Sequence, residues 1–600
     1  MSSTQQRRAG RMDGEAIAAW VAIAGVVVVV GTTTAAAHLA RALAGGPELP
    51  GNPAALVIGL VKGTVAWPAS GTLVLAVLVA VELALIATVL VARAKRRRRR
   101  SRVDVAARHM GRGRALDAVT TRGARAKADG LGVAGPPGVF VGRTVATGAR
   151  LYMDWESVGV HIWGPRTGKT STQAIPTILD APGAVLATSN KRDLLDATRG
   201  PRAARGTVWA FDPQGIVGEE PTWWWNPLSY VTDEVQALKL SKTLVAAARE
   251  PGARVDAYFD KAGPSLIAGM LHAAALADRP ITQVYLWLAK PTDDEPALIL
   301  REAGFPLSAA AVEAIVHAPD KQRGGVYGTA QELMSFLISR SAVRWVTADP
   351  RGDARRQFRP EAFAHSTDTL YLLSREGEAS TGPLVTALTV AVTEAAENLA
   401  KTSPRGRLPV PMVAVLDEAA NVCRWHNLPD LYSHFGSRGI LVITFLQSWS
   451  QGVEVWGREG MRKLWSAANL KAYGGGVSET EFLADLVQLI GQYRAPTVSA
   501  STGKGNRSRS YSETPESILD VADLAALPAG RMVAIFSGTP AVLARSVPWW
   551  EGEHADAVKA SNAAHDPAVP QLVPAVPAPL DEPDVAPVAT LRATNPWAQL

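Results

Sequence analysis

The sequence predicts an α/β protein with a mainly parallel sheet, an all-helical insertion and a two-helix N-terminal membrane anchor. Three observations carry this. Almost wholly apolar runs such as Met412-Val-Ala-Val-Leu416 and 440–446 end abruptly in polar residues, the pattern of strands buried on both faces. Across residues 236–345 apolar positions recur at helical spacing, as in 235–248 and 262–277, with no alternating stretch of comparable length. Near the N-terminus two stretches of about 22 residues, 16–37 and 71–92, are apolar enough to cross roughly 30 Å of hydrocarbon as helices.

The first span is interrupted only by Thr32, Thr33 and Thr34, the second only by Thr72, Glu82 and Thr88. Arg7, Arg8 and Arg11 precede the first, and the run from Arg93 through Lys95 to Arg102 follows the second, whereas the loop between them carries few cations. Positive charge stays inside, so both ends are expected to face the cytoplasm and residues 40–70 to face outward. A cleaved signal peptide is the alternative for the first span, because Ala35-Ala-Ala37 offers small residues. Glu82 is costly in hydrocarbon and is expected to face a partner helix. The arginine run anchors the topology, or binds anionic lipid or DNA phosphates. Residues 93–150 hold 16 Lys/Arg against 3 Asp/Glu, while the whole chain is only +7, so the remainder is about −6. The basic character therefore belongs to one segment and does not argue that the body grips nucleic acid. A length of 600 residues implies two or more domains. The single cysteine, Cys423, excludes an intrachain disulfide and a multi-cysteine zinc site, and favours a reducing compartment for the body.

The chemistry-bearing motifs sit at strand ends. Val158-Gly-Val-His-Ile-Trp163 reads as a short buried strand, followed by Gly164-Pro165-Arg166-Thr167-Gly168-Lys169-Thr170-Ser171 and then a helical stretch. Strand, tight loop and helix is the context a phosphate-binding loop requires. Gly168 allows close backbone approach, the helix N-terminus favours anionic oxygens, Lys169 is placed to reach the β- and γ-phosphates of ATP, and Thr170 to bind Mg²⁺. The alternative is a loop with an ordinary exposed lysine. Pro176 is expected to limit the following helix to about two turns. Asp417 follows the run 412–416, where open parallel sheets place ligands, and is expected to hold Mg²⁺, mostly through water; Glu418 is expected to orient and polarise the attacking water. Gln447 ends the run 440–446 and is placed to sense the γ-phosphate or that water, or else to make a strand-end hydrogen bond. Arg438 precedes the same run and either reaches a neighbouring subunit's nucleotide or makes a salt bridge to the core.

These residues resemble the type IV coupling proteins, the TraG/TraD-like conjugation ATPases. Leu416-Asp-Glu-Ala-Ala-Asn421, Leu428-Pro-Asp-Leu431, Ser437-Arg-Gly-Ile440 and Leu446-Gln-Ser-Trp-Ser-Gln451 resemble the family's blocks in order, as do Ser189-Asn-Lys191-Arg-Asp193-Leu194, Phe211-Asp-Pro-Gln-Gly215 and Trp225-Asn226-Pro227-Leu228 upstream. The resemblance covers roughly residues 150–550 and includes the two-span anchor. Trp163 stands where the phosphate loop's first glycine belongs, and Ser189 where the family has an acid; the first bears on loop geometry, the second removes a charge near the phosphates. The resemblance implies a RecA-like P-loop motor, a homohexameric ring around a channel, and delivery of a relaxase–DNA substrate, with the DNA single-stranded, to a type IV secretion apparatus.

The expected organisation is an anchor at 1–102, a basic linker at 103–150, a motor split between 151–235 and 346–550, the helical insertion at 236–345 and a Pro/Ala-rich disordered tail at 551–600. Motor strands are expected at 184–188, 207–211, 369–373, 412–416, 440–446 and 531–536. In the family the insertion is assigned to substrate recognition; a structural lid is the alternative. At least one of the adjacent Trp223, Trp224 and Trp225 is expected in the core, with base stacking open to another. Lys504, Arg507 and Arg509 fall in a polar stretch, 501–510, that reads as a solvated loop or a DNA-touching pore loop, and Asn595-Pro-Trp597 as a loose end or a docking anchor. Together these point to a membrane-anchored ATPase that pumps DNA. The rivals are an FtsK-like translocase or protein-secretion ATPase, which would more often show repeated motor units or a DNA-reading winged module, and a scaffold that binds nucleotide without hydrolysing it.

Overall fold

The computed structural model describes residues 14–98, 101–249, 259–375, 381–503 and 506–568, in two units that divide after Ser101. Arg7, Arg8, Arg11, Arg99, Arg100, Lys504 and Asn595–Trp597 lie outside the described residues.

The first unit has two long helices, Gly14–Ala44 and Gly71–Arg98, joined through a short one, Pro53–Val61. Within them 22–44 and 71–88 are long and apolar enough to span a membrane. The helix that carries the first expected span, 16–37, runs on through His38 and Arg41 to Ala44. The threonines sit in a helix at little cost: Thr33 and Thr34 each donate to the carbonyl four residues earlier at 2.7 Å, and Thr32 Oγ1 donates to Glu82 Oε1 of the other long helix at 2.6 Å. That bond gives Glu82 the partner helix expected of it. Ala36, Ala40 and Val74 close the contact, small residues letting the backbones approach, while Val26–Val29, Leu83, Leu85 and Ile86 face outward.

The second unit is built on β1 (Val139–Thr144), β2 (Arg150–Met153), β3 (Gly159–Ile162), β4 (Val185–Ser189), β5 (Val208–Phe211), β6 (Trp223–Trp224), β7 (Arg356–Gln357), β8 (Thr369–Leu373), β9 (Met412–Leu416), β10 (Ile440–Leu446), β11 (Leu470–Tyr473), β12 (Gln492–Gly503), β13 (Asn506–Ser517), β14 (Arg531–Phe536) and β15 (Val542–Arg545). Eleven of these form one sheet in the order β2-β1-β15-β14-β11-β3-β10-β9-β4-β8-β5. The seven from β11 to β5 run parallel, and β14, β15, β1 and β2 add an antiparallel edge. The parallel strands are apolar throughout because both faces are covered. Met412, Ala414 and Leu416 enter one core and Val413 and Val415 the other; Ile440, Val442 and Leu446 divide from Leu441, Ile443 and Phe445 in the same way. Each such buried Val, Leu, Ile, Phe or Met side chain contributes about 1.5–3 kcal/mol. His161 of β3 is buried against Phe445, with Nδ1 lacking a partner among the described residues, and burial pushes its imidazole down to about 3.

All six expected strands are present within a residue of their expected limits. Between residues 234 and 346 the described residues form only helices and irregular connections. Trp223 and Trp225 are core residues; Trp223 meets Trp209, Phe211, Trp345 and Phe358.

Four expectations are corrected. The segment 103–150 is not a bare linker: it holds the helix Thr121–Leu131 and β1, in which Val139, Val141 and Thr144 are buried and a register shift between Phe140 and Gly142 breaks the alternation. Gly142 permits this edge pairing, since a Cβ there would meet Arg545 O at 2.7 Å. The stretch 501–510 is not a loop but the end of the hairpin β12–β13, in continuous register from Gln492↔Ser517 to Gly503↔Asn506. The region from 551 is not all tail, because the helix Ala555–Ala564 packs on the helix Asp193–Ala203. Pro176 does not break its helix either. The preceding turn Thr170–Ala174 widens to π geometry, with Ile175 N bonding Thr170 O, so the helical path continues to Asp180.

Candidate functional site

The phosphate-type loop leaves the sheet between β10 and β11. Trp163 N donates to Leu446 O at 3.0 Å and Gly164 N to Gly475 O at 2.9 Å, fixing the start of the loop from both sides. The turn then uses left-handed backbone at Arg166 (φ 60°) and Gly168 (φ 88°), and Thr167 Oγ1 closes it onto Gly164 O at 2.5 Å. Trp163 does not distort this path. Its side chain is fully buried behind the loop, over Gly474, where a Cβ would lie 2.0 Å from the indole. Gly164 and Gly476 meet as closely, a Cβ on Gly164 falling 2.0 Å from Gly476 O. The run Gly474-Gly475-Gly476 after β11 thus makes the space that a tryptophan needs where a glycine is usual. The cost is an indole N–H without a partner among the described residues, about 1–3 kcal/mol.

Opposite the loop, β9 delivers Asp417 and Glu418. Glu418 has left-handed backbone (φ 54°, ψ 43°), a conformation that costs a non-glycine residue about 1–3 kcal/mol and clusters at functional sites. It turns both carboxylates onto one ammonium: Lys169 Nζ lies 3.1 Å from Asp417 Oδ1 and donates to Glu418 Oε1. Thr188 of β4 pins the turn, its hydroxyl donating to Asp417 O at 2.8 Å. Gln447, at the end of β10, donates from Nε2 to Glu418 Oε2 at 2.7 Å, and its own backbone N–H is held by Gln451 Oε1 at 2.9 Å.

Burial pushes the Asp417 carboxyl up to about 6 even though Lys169 opposes the shift, and the neighbouring Glu418 adds to the rise. Burial alone would lower Lys169, but Asp417 and Glu418 outweigh it and hold the ammonium above its ordinary value. Asp417 Oδ1 is buried with no aligned hydrogen-bond donor among the described residues, the 3.1 Å approach of Lys169 notwithstanding. Two carboxylates against one lysine leave a buried negative excess that a cation would neutralise. Mg²⁺ fits the oxygen donors present, Thr170 and Asp417, which line the same cavity. Among the described residues no cluster of three or more His, Cys, Asp or Glu exists, so the remaining positions fall to water and phosphate, as is usual for this ion.

The cavity, of about 740 Å³, is lined by Gly164 through Ser171 together with Asp417, Glu418 and Gln447. Arg438 is not among them. It precedes β10 while Gln447 follows that strand, and its guanidinium lies 3.4 Å from Glu397. Ser189 lines the cavity and its hydroxyl accepts from Lys191 N at 3.2 Å. Sequence reasoning missed the part of the wall that comes from the C-terminal region, Trp549, Asn562, Asp566 and Pro567. No periodic pattern or motif marks those positions.

Residues 411–529 match the family described as the TraM recognition site of TraD and TraG. Among solved structures, the unbound conjugative coupling protein TrwBdeltaN70 aligns with TM-score 0.51 and 16% identity over 66% of this chain and 85% of that one. Its trigonal form in complex with sulphate aligns with TM-score 0.50 and 15% identity over 66% and 86%, and TrwB in complex with ADP and Mg²⁺ with TM-score 0.49 and 16% identity over 66% and 87%. At such identities the likeness to the first two establishes the fold alone. No curated protein matches the sequence.

Proposed function

We propose that this chain, which carries a TraG/TraD C-terminal domain on a TrwB-like fold, is a membrane-anchored ATPase that drives DNA into a conjugation or type IV secretion channel. The observation that carries the reading is the convergence of Lys169, Asp417, Glu418 and Gln447 at the carboxyl ends of the adjacent strands β3, β9 and β10. An incoming triphosphate competes for Lys169, which exchanges Glu418 for the β- and γ-phosphates. Glu418, released but still bonded to Gln447, then orients water against the γ-phosphorus. Mg²⁺, held by Thr170 and through water by Asp417, would supply charge neutralisation on the phosphates. Arg438 acts only in trans, where a neighbouring subunit of a homohexamer brings it to another chain's nucleotide after breaking its pair with Glu397. Trp163, the departure that favoured a non-hydrolysing scaffold, lies behind the loop and leaves Lys169 and Thr170 in place, which favours turnover.

In this reading the two apolar helices anchor the protein in the cell membrane with both termini and the motor cytoplasmic. The motor comprises 151–235 and 346–550, the helical segment 236–345 meets the relaxase–DNA substrate, and the 411–529 domain recognises an accessory protein of the conjugation machinery, as its family description suggests. The test is ATP hydrolysis by detergent-solubilised full-length protein with and without single-stranded DNA. DNA-stimulated turnover abolished by Lys169→Ala supports the reading. Turnover by that variant at the wild-type rate refutes the site, and DNA-independent turnover points instead to protein export.

A further inference from the structure

The far wall of the same cavity carries an inference that rests on the nucleotide reading and goes beyond it. The loop and carboxylates fix the direction of a bound triphosphate. Lys169, Asp417, Glu418 and Gln447 mark the γ-phosphate end, so the α-phosphate and nucleoside must leave across Ser171 and Ile175, in the first turns of the following helix. That side is closed by Trp549, Asn562 and Asp566. We infer that these three residues form a nucleobase and ribose pocket, with the Trp549 indole stacking on the base, the Asn562 amide reading its edge and the Asp566 carboxylate accepting from a ribose hydroxyl.

Two observations support a built site. First, the segment is held firmly to the motor. Ser561 Oγ donates to Asp196 O at 2.5 Å and accepts from Gly200 N at 3.1 Å, Arg192 Nη2 donates to His565 O at 2.8 Å, and His554 Nε2 lies 2.8 Å from Asp180 Oδ1. Gly200 admits this approach, since a Cβ there would lie 2.9 Å from Ser561 Oγ. Arg192 and Asp196 themselves line the cavity, so the phosphate end and the C-terminal wall are tied by the same side chains. Second, the chemistry is graded along the cavity. Ammonium and carboxylates stand at one end, and at the other a half-buried indole beside an amide that has no partner among the described residues. A triphosphate alone needs only the first end; a nucleoside needs the second.

The experiment measures binding of Mg·ATP and of Mg·tripolyphosphate, which has no base or sugar, to detergent-solubilised full-length wild type and to Trp549→Ala, Trp549→Phe and Asn562→Ala. The expected result is that Trp549→Ala weakens ATP about tenfold, as loss of an aromatic platform does, with tripolyphosphate unchanged. Trp549→Phe keeps ATP binding within about threefold. Asn562→Ala costs about fivefold for ATP alone, and supplies the decisive reading should Trp549→Ala fail to fold. Equal losses for both ligands, or no loss for either, overturn the pocket. Wild type that binds tripolyphosphate as tightly as ATP also overturns it while leaving the motor reading intact, whereas wild type that binds neither refutes the motor reading and this pocket with it.

Discussion

Replacing Gly474 by alanine places a methyl carbon 2.0 Å from Trp163 Cδ2, with Cε3 and Cε2 at 2.3 and 2.4 Å. Ordinary carbon contacts are about 3.5–4.0 Å, so one group must move by about 1.5 Å. The indole has little freedom to do so. It is fully buried, and its backbone is tied to Leu446 and, through Gly164, to Gly475. Gly474→Ala is therefore expected to cost about 3 kcal/mol, the upper end of overpacking penalties. Trp163→Ala alone leaves a void, costing about 3–5 kcal/mol, offset by about 1 kcal/mol because the unpartnered indole N–H goes too. In the double variant the new methyl enters the vacated space. The two effects then fall short of their sum by at least about 2 kcal/mol, a coupling expected only of residues in contact. Thermal midpoints of the full-length protein and its three variants, with Mg·ATP binding measured in parallel, form the cycle. A Gly474→Ala variant with an unchanged midpoint, or strictly additive losses, would refute the claim that the glycine run accommodates the tryptophan.

Three shorter predictions follow from other parts of the molecule. Glu418→Gln keeps the bond to Gln447 geometrically possible but removes the charge that activates water, so hydrolysis falls at least about 100-fold while equilibrium ATP binding is retained; unchanged single-turnover rates would contradict this. His161 stays neutral in the fold down to about 3, whereas in the unfolded chain it takes up a proton below about 6.5. Its contribution is complete above that pH and is lost progressively as pH falls towards 3, about 2 kcal/mol by pH 5. His161→Leu should flatten the drop in thermal midpoint between pH 7 and pH 5, and an equally steep drop in the variant would assign it elsewhere. Thr32→Val strips Glu82 of its interhelical partner and is expected to weaken membrane retention under alkaline extraction, with Glu82→Leu restoring it; equal retention in all three proteins would show that the bond carries no anchoring energy.

The legible part of this protein was the part whose signal is local. Strands β8, β9 and β10 are buried on both faces, so their apolar runs and polar terminations stand out along the chain, and the phosphate loop and the Asp417–Glu418 pair are recognisable because they sit at such terminations. What stayed hidden depends on pairings between distant segments. Trp163 looked like a flaw in the loop until Gly474, Gly475 and Gly476, about three hundred residues downstream, were seen to receive it. The edge strands β1 and β2 were masked because they are short and lie in a stretch rich in alanine and glycine, just after the arginine run, whose charge drew the eye. The hairpin β12–β13 is mostly polar in sequence, without the apolar alternation that would betray a half-buried strand. The wall formed by Trp549, Asn562 and Asp566 joins the site only because Arg192, Asp196 and Gly200 hold the segment around Ser561 against another helix. Arg438 shows the converse: a residue singled out for its position next to a motif strand sits at that strand's other end, paired with Glu397.

The most direct test of the account is whether Thr170 and Asp417 share one metal ion with bound nucleotide. Electron paramagnetic resonance of Mn²⁺ substituted for Mg²⁺, with a non-hydrolysable ATP analogue, counts that ion on the full-length protein. The account predicts one nucleotide-dependent Mn²⁺ per chain in the wild type, lost in both Thr170→Ala and Asp417→Asn. Wild-type occupancy and spectrum in either variant would contradict it.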